Sequence, residues 1–260
     1  MRILALVGSY RKQGNTARIV RMVEARMGIL AGQQDATLEF ETLFLGDFNI
    51  ISCRGCRACF DHGEDACPLK DDVAKIRAKI EAADALIMAS PVYVDDVGGL
   101  MKNLLDRLAY LCHRPALGGR YACALATVGG GNTSHTLHTL YVALLTWGCH
   151  MLGRTGIKMG ALAPDVELPR YQADADRVAA TLFDAMSQRR NLNPPFISLM
   201  AFRIQQLAWK RESAESYDYS FWREQGWLNR GCTYYQAHTA NPVKLALARL
   251  SGAIIYRFVV

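Results

Sequence analysis

Four cysteines of this 260-residue chain lie close together in the sequence, spaced C-x2-C-x2-C with a fourth after seven intervening residues. They are Cys53, Cys56, Cys59 and Cys67. Compact runs of this kind hold iron–sulfur clusters, because the short gaps turn successive sulfurs toward one inorganic core. Structural zinc sites more often pair two well-separated knuckles. We therefore expect an iron–sulfur cluster, with a zinc loop or a metal-free loop of reduced or disulfide-paired cysteines as the alternatives.

The composition is that of an ordinary globular protein, with 51% hydrophobic and 21% charged residues. Since no run approaches the roughly 18 apolar residues of a membrane span, we expect no integral membrane segment. The apolar start at residues 3–7 is too short for a signal peptide, and four further cysteines are scattered among apolar residues, so we expect a cytoplasmic protein with reduced thiols. The net charge of +6 forms no basic stripe interleaved with aromatics, so nucleic acid is not an expected partner.

Apolar runs and helical periodicity alternate along the first 190 residues. Strands are predicted at 2–7, 36–43, 85–89, 121–128 and 149–158, and helices at 16–27, 71–82, 98–113, 134–147 and 171–190. Five such units predict an α/β fold with a doubly wound, five-stranded parallel sheet. In such a sheet the ligand lies at the carboxyl ends of the strands, where the strand order reverses.

The loop after the first strand, residues 8–16, is suited to a phosphate group. Its glycines allow close backbone approach, Ser9, Asn15 and Thr16 supply donors, and a helix begins beside them. It matches neither the dinucleotide fingerprint nor the ATP-binding P-loop. The alternative is a plain turn in which Asn15 or Thr16 caps the helix.

Two further loops could contact a flat ring. Residues 91–94 form an apolar and aromatic run after the third strand, although Tyr93 alone could equally be a core residue. Residues 129–131 are three glycines after the fourth strand, which permit close backbone approach or simply form a flexible turn.

Taken in order, these motifs resemble the flavodoxin-like NAD(P)H-dependent FMN reductases, and specifically their iron–sulfur flavoprotein branch. The resemblance spans about residues 1 to 190. The matching residues are Gly8-Ser9-x-Arg11-x-x-Gly14-Asn15-Thr16, the cysteine quartet followed by Lys70-Asp71-Asp72, and Ser90-Pro91-Val92-Tyr93 with Lys102, Asp106 and Arg107 on the next helix.

The resemblance implies FMN as cofactor and assigns residues to its parts. The phosphate would be held by Ser9, Arg11, Asn15 and Thr16; the ring would lie against Pro91, Val92, Tyr93 and Val94, closed by Thr127, Gly129 and Gly130; and Cys53, Cys56, Cys59 and Cys67 match the ligands of a [4Fe-4S] cluster. One departure is that Asp95 and Asp96 stand where the family often has Gly or Asn.

The segment from 192 to 260 differs in composition from the rest, with dense aromatics and an excess of basic residues. We therefore predict a flavodoxin-like domain at 1–191, with the cysteine loop at 53–67, and a helical, aromatic-rich extension at 192–260. Anchoring to its own core or packing between subunits is favoured over covering a partner's flavin. Residues 242–260 predict an amphipathic helix that docks on a protein or, less commonly, lies against a membrane surface.

The function expected from these features is a flavin oxidoreductase that takes electrons from NAD(P)H or reduced ferredoxin and gives them to a quinone, a flavin or another small acceptor. The alternative is a non-enzymatic electron-transfer protein or redox sensor that acts through a protein partner such as a ferredoxin. Since the cofactors carry the chemistry, no side chain is named as catalytic. The resemblance further implies a homodimer or homotetramer.

Overall fold

The computed structural model describes residues 1–160, 169–190, 192–211 and 216–259. Five parallel strands form the central sheet, in the order β2-β1-β3-β5-β6. They are β1 (Arg2–Val7), β2 (Glu39–Phe44), β3 (Ala85–Tyr93), β5 (Tyr121–Val128) and β6 (His150–Lys158). The central strands β1, β3 and β5 are almost continuously apolar and buried, as expected when helices cover both faces of a sheet.

Helices pack on both faces of the sheet, which confirms the predicted doubly wound α/β architecture. One face carries α1 (Asn15–Gln33) and α6 (Pro169–Ser187); the other carries α3 (Val73–Ala82), α4 (Gly99–Arg107) and α5 (Ser134–Thr146). Alternate residues of β1 divide between the two cores: Ile3 packs on the first face and Leu4 on the second. The strand order reverses between β1 and β3, so their carboxyl ends flank the crevice in which ligands of this fold bind.

Two elements differ from the prediction near this crevice. The third strand continues past Ala89 to Tyr93 and turns back through the short strand β4 (Asp96–Val97), which pairs antiparallel with it. The predicted helix 98–113 is instead α4 followed by a 3-10 turn at Ala109–Cys112. Within the cysteine loop, residues Ala58–Asp61 form the single helical turn α2.

The C-terminal extension contains three helices, α7 (Phe196–Arg211), α8 (Tyr217–Glu224) and α9 (Pro242–Val259). The sequence predicted only the last of these. Together they enclose a separate aromatic core, made of Leu199, Phe202, Trp222, Trp227, Tyr234 and Ala248. The indole of Trp222 is fully buried and donates to the carbonyl of His113 at 2.7 Å, so the extension is attached to the α/β body. The domain boundary at 191/192 remains a prediction, since residue 191 is not described.

Among the helices of the described segments, none is long and apolar enough to cross a membrane.

Candidate functional site

The loop between β1 and α1 leaves the positive end of a helix open. Gly14 precedes the first turn of α1, no side chain caps that turn, and it contains no acidic residue. The loop folds on itself: Gly14 donates its N–H to the carbonyl of Arg11 at 3.0 Å, and Arg11 donates its N–H to the hydroxyl of Ser9 at 3.0 Å. A helix N-terminus with free N–H groups and a neighbouring arginine attracts an anion such as a phosphate.

Beside this loop lies a cavity of about 630 Å³, at the carboxyl edge of the sheet. Ser9, Arg11 and Tyr93 line it, as do Ile50 and Ser52 from the segment before the cysteines. The start of α4 forms another part of the wall. Three chain segments far apart in sequence therefore meet at one pocket, which is large enough for a cofactor-sized ligand.

Close packing shapes the floor of this cavity. A Cβ on Gly8 would lie 2.8 Å from the Cβ of Met101 on α4, so only glycine allows the loop to pass so near that helix. Gly8 also donates its N–H to the carbonyl of Ala89 at 2.8 Å, which fixes the loop to the end of β3.

Several residues predicted to contact the cofactor do not line the cavity. Those outside its lining are Asn15, Thr16, Pro91, Val92, Val94, Thr127, Gly129 and Gly130. The hydroxyls of Thr16 and Thr127 are both buried and lie 2.6 Å apart, so they join the first turn of α1 to the end of β5. Their assignment to the cofactor stays a prediction.

The β3–β4 hairpin carries Tyr93 into the cavity and Val94 out of it. Val94 and Asp95 are the two turn residues, with φ angles of 49° and 66°, and Val94 is fully exposed. A branched residue in this conformation is rare and costs about 1–3 kcal/mol. Asp96 is one of the two aspartates that depart from the family pattern. It accepts from the hydroxyl of Thr139 at 2.8 Å and so connects the hairpin to α5.

The segment that leads into the cysteines is fixed by a buried ion pair. Arg107, at the end of α4, pairs with Asp71, and both side chains are buried. Arg107 also donates to the carbonyl of Ile51 at 2.7 Å, and Asp71 accepts from the N–H of Ile51 at 2.8 Å. Burial alone would raise the pKa of Asp71, but the hydrogen bonds from Arg107 and from backbone N–H groups outweigh it and hold that pKa below its ordinary value.

The four predicted metal ligands lie on one loop as free thiols. Cys53 and Cys56 are exposed, whereas Cys59 and Cys67 are partly buried. Burial raises the pKa of Cys59, and the thiols of Cys67 and Cys53 raise it further. Within the described residues, however, no group of three His, Cys, Asp or Glu side chains stands ready to hold a metal ion.

The middle of the cysteine loop is held by the C-terminal extension. Arg114 is 2% exposed; it donates to the carbonyl of Cys59 at 2.5 Å and pairs with Asp218 of α8. His113 donates from Nδ1 to the other oxygen of Asp218 at 2.7 Å. The ring of Tyr217 also lies over the guanidinium of Arg114, 4.8 Å from its centre. The extension therefore covers the cysteine loop of its own chain.

Sequence reasoning missed Ile50, Ser52 and Asn103 in the cavity wall. The side chain of Asn103 donates to the carbonyl of Ile50 at 2.7 Å and lies one turn before Arg107, whose guanidinium holds the next carbonyl. Asn103 and Arg107 are polar residues four positions apart on a helix whose apolar face is buried. That spacing could have indicated that both side chains contact the segment before the cysteines.

Solved structures share the fold at low sequence identity. RosB, solved with bound 8-demethyl-8-formylriboflavin-5'-phosphate, superposes with a TM-score of 0.55 at 12% identity over 93% of each chain. An oxidoreductase from Corynebacterium diphtheriae gives a TM-score of 0.52 at 18% identity, covering 72% of this chain and 98% of its own.

Curated relatives are more similar in sequence. An iron-sulfur flavoprotein of Archaeoglobus fulgidus is 27% identical over 88% of this chain and all of its own. An iron-sulfur flavoprotein of Methanocaldococcus jannaschii is 33% identical over 55% of this chain and 72% of its own. The family model described as NADPH-dependent FMN reductase matches residues 1–158. Because that match covers more than half of a chain with the flavodoxin-like sheet, the protein belongs to the flavodoxin-like FMN reductase family, in its iron–sulfur flavoprotein branch.

Proposed function

We propose that the protein is an FMN-dependent oxidoreductase that takes electrons from NAD(P)H or reduced ferredoxin and passes them to a quinone, a flavin or another small acceptor. The observation that carries the proposal is the cavity of about 630 Å³ between the loop that leads into α1 and the start of α4. A cation, Arg11, and an aromatic residue, Tyr93, both line its wall. Membership of the FMN reductase family supports the same ligand.

Residues of the cavity have separate tasks in this proposal. Arg11 and the N–H groups at the start of α1 would bind the phosphate, while Tyr93 and Leu100 would contact the ring. When bound, FMN supplies both hydride and single-electron chemistry. The chain would position the flavin and tune its electron affinity, because backbone N–H groups near the ring would stabilise the electron-rich forms of the flavin.

We further propose that Cys53, Cys56, Cys59 and Cys67 hold a [4Fe-4S] cluster. The donor set fits, because four free thiols of the right spacing lie on one loop. A second cavity, of about 530 Å³, lies beside Cys59 and Cys67. Arg107 approaches the sulfur of Cys67 at 3.7 Å and would offset negative charge there. Such a cluster supplies single-electron transfer.

A second candidate function follows from the exposure of Cys53 and Cys56. Arg54 between them is also exposed, so this end of the loop faces solvent with positive charge beside it. An acidic electron-transfer protein could dock there, and the protein would then act as an electron carrier or sensor without turning over a small molecule.

The rate of NAD(P)H oxidation distinguishes the oxidoreductase from the electron carrier or sensor. We expect the FMN-loaded protein to oxidise NADH or NADPH with a soluble quinone as acceptor, at rates that saturate with both substrates. Absorbance at the nicotinamide band measures this directly. If neither nucleotide is oxidised unless a ferredoxin-like protein is added, the carrier function replaces the enzyme.

Substitution of Arg11 tests the phosphate site. We expect Arg11→Ala to raise the Kd for FMN by about 10–100-fold, because a charged hydrogen bond contributes about 1.5–3 kcal/mol. Lys12→Ala is the matched control, since Lys12 pairs with Asp47 at 2.8 Å and is not part of the cavity wall. Riboflavin, which lacks the phosphate, should bind both variants as it binds the wild type. Fluorescence quenching measures all of these affinities; equal losses for FMN and riboflavin would contradict the assignment.

Metal analysis tests the cluster. Protein purified without oxygen should contain about four iron and four sulfide per chain. Cys56→Ser should lose most of the iron and keep its FMN, because Cys56 lies outside the cavity wall. Cys112→Ser, which alters a thiol that contacts Thr146 instead, should keep both. Wild-type protein that is yellow with flavin but free of iron would exclude the cluster and leave the flavin proposal standing.

Substitution of Asp218 tests whether the extension holds the cysteine loop. In the metal-free protein, Asp218→Asn should speed maleimide labelling of Cys59 by at least about fivefold. Removing about 1 kcal/mol of the stability of the closed cysteine loop raises the population of the open loop by that factor. Glu224→Gln, an exposed acid on the same helix, should have no effect. Peptide mass mapping gives the rate at each thiol. Equal acceleration at Cys232, within the extension, would indicate general loosening instead.

A further inference from the structure

A cavity of about 220 Å³ lies where the C-terminal extension meets the α/β body. Part of its wall comes from α5 of the body and part from α7 of the extension, and the loop before α9 contributes Tyr234 and Tyr235. It shares no lining residue with the cavity of about 630 Å³. Small-molecule sites favour such junctions, and an engineered cavity of about 150 Å³ is large enough for benzene. The cavity at the junction therefore has room for one substituted aromatic ring.

The wall of this cavity is mainly apolar and aromatic. Val142 and Ile197 are 40% and 49% exposed, so a ligand can enter beside them, and Tyr141 and Tyr234 supply ring surface. None of the described lining residues is Lys, Arg, Asp or Glu, and the histidine among them, His138, is exposed. A charged ligand would lose its hydration there without gaining an ionic partner. The cavity therefore fits a neutral molecule.

Three polar side chains of the wall already have hydrogen-bond partners within the protein. Gln205 donates to the carbonyl of Cys112 at 2.7 Å and accepts from the hydroxyl of Tyr235 at 2.6 Å. The hydroxyl of Thr146 donates to the carbonyl of Val142 at 2.8 Å. These contacts are made within the wall itself, so none of the three side chains needs a ligand to satisfy it.

Ser198 of α7 differs from these residues. It is 6% exposed, and its hydroxyl oxygen is buried with no hydrogen-bond partner among the described residues. Burial raises the pKa of the Tyr234 phenol to about 12 and the Ser198 hydroxyl lowers it in part, but the two groups do not meet the geometry of a hydrogen bond. Buried hydroxyls are normally paired, so a hydroxyl without a partner in the wall of an apolar cavity indicates a ligand with a polar atom.

We propose that this cavity binds a neutral molecule with a single aromatic ring that carries a hydroxyl or carbonyl oxygen. The ring packs among the tyrosines, and the oxygen forms a hydrogen bond with Ser198. A molecule in this position contacts both α5 and α7, so it strengthens the attachment of the extension to the body. The site is separate from the proposed flavin cavity and does not depend on the proposed function.

Calorimetric titration of the full-length protein with p-cresol and with toluene tests the proposal. The two molecules have similar shapes, and only p-cresol carries a hydroxyl. We expect both to bind saturably, and Ser198→Ala to weaken p-cresol relative to toluene by about 3–10-fold, which is the effect of one hydrogen bond. Ser187→Ala, at an exposed position at the end of α6, is the matched control and should leave the ratio of the two affinities unchanged.

A second pair of variants and a reporter thiol locate the bound molecule. Ala201 is an exposed lining residue, so Ala201→Phe should obstruct the cavity and abolish binding without disturbing the core. Ala246→Phe, at an exposed position of α9 outside the lining, should bind p-cresol as the wild type does. Saturating p-cresol should slow alkylation of the lining thiol of Cys112 by iodoacetamide, but not that of Cys232, as peptide mass mapping measures.

Alkylation of Cys112 reports on this cavity alone, so the result does not depend on whether the larger cavity holds FMN. The absence of saturable p-cresol binding would overturn the proposal. So would binding that persists in Ala201→Phe without slowing alkylation of Cys112, because the molecule would then lie elsewhere. An affinity ratio that Ser198→Ala leaves unchanged would overturn the assignment of an oxygen-bearing ligand.

Discussion

The cysteine loop is held by two buried arginines that are seven residues apart in the sequence. Arg107, at the end of α4, pairs with Asp71 and holds the segment that enters the loop. Arg114, just after the following 3-10 turn, pairs with Asp218 and holds the carbonyl of Cys59. One short stretch of chain therefore fixes both the start and the middle of the loop.

Such pairs specify a conformation more than they stabilise the fold. Desolvating two charges costs about as much as their attraction returns, but removing one partner leaves a buried charge and costs about 3–5 kcal/mol. The side chains of Arg107 and Arg114 are 4% and 2% exposed, so alternative placements of the loop that lose either pair are strongly disfavoured. The exposed cysteines lie at the part of the loop that neither arginine reaches.

The same contacts set the position of the cysteine loop relative to the cavity of about 630 Å³. Ile50 and Ser52 line that cavity, and the carbonyls of Ile50 and Ile51 accept from Asn103 and Arg107 on α4. Cys53 follows at once, with its N–H 3.3 Å from the side-chain oxygen of Asn103. A change in α4 would thus move the cavity wall and the first cysteine together, which is how a rigid element can keep the cavity and the cysteine loop at a constant separation.

The sheet could be predicted from sequence because its signal is local. Each central strand is a short apolar run followed by Gly, Ser or Pro, and the alternation with helices limits the topology to a few arrangements. The loop between β1 and α1 could be located for the same reason, since Ser9, Arg11 and the start of α1 are neighbours in the chain; its binding of a phosphate stays a prediction. The contacts of the cysteine loop were not, because Arg114 and Asp218 are 104 residues apart and neither is unusual in its local sequence.

The helical extension was predicted, but its helices α7 and α8 were not, for a related reason. α8 has only eight residues, too few to be stable alone, so no local pattern identifies it. It forms because Trp222 fills the aromatic core while Asp218, on the adjacent turn, meets Arg114. The element that holds the cysteine loop thus exists only when the extension is folded against the body, and the geometry of the thiols depends on residues more than a hundred positions away. A chain truncated before α8 would keep the four cysteines of the loop and the whole sheet, yet it would lack the carboxylate that fixes Arg114 against the loop.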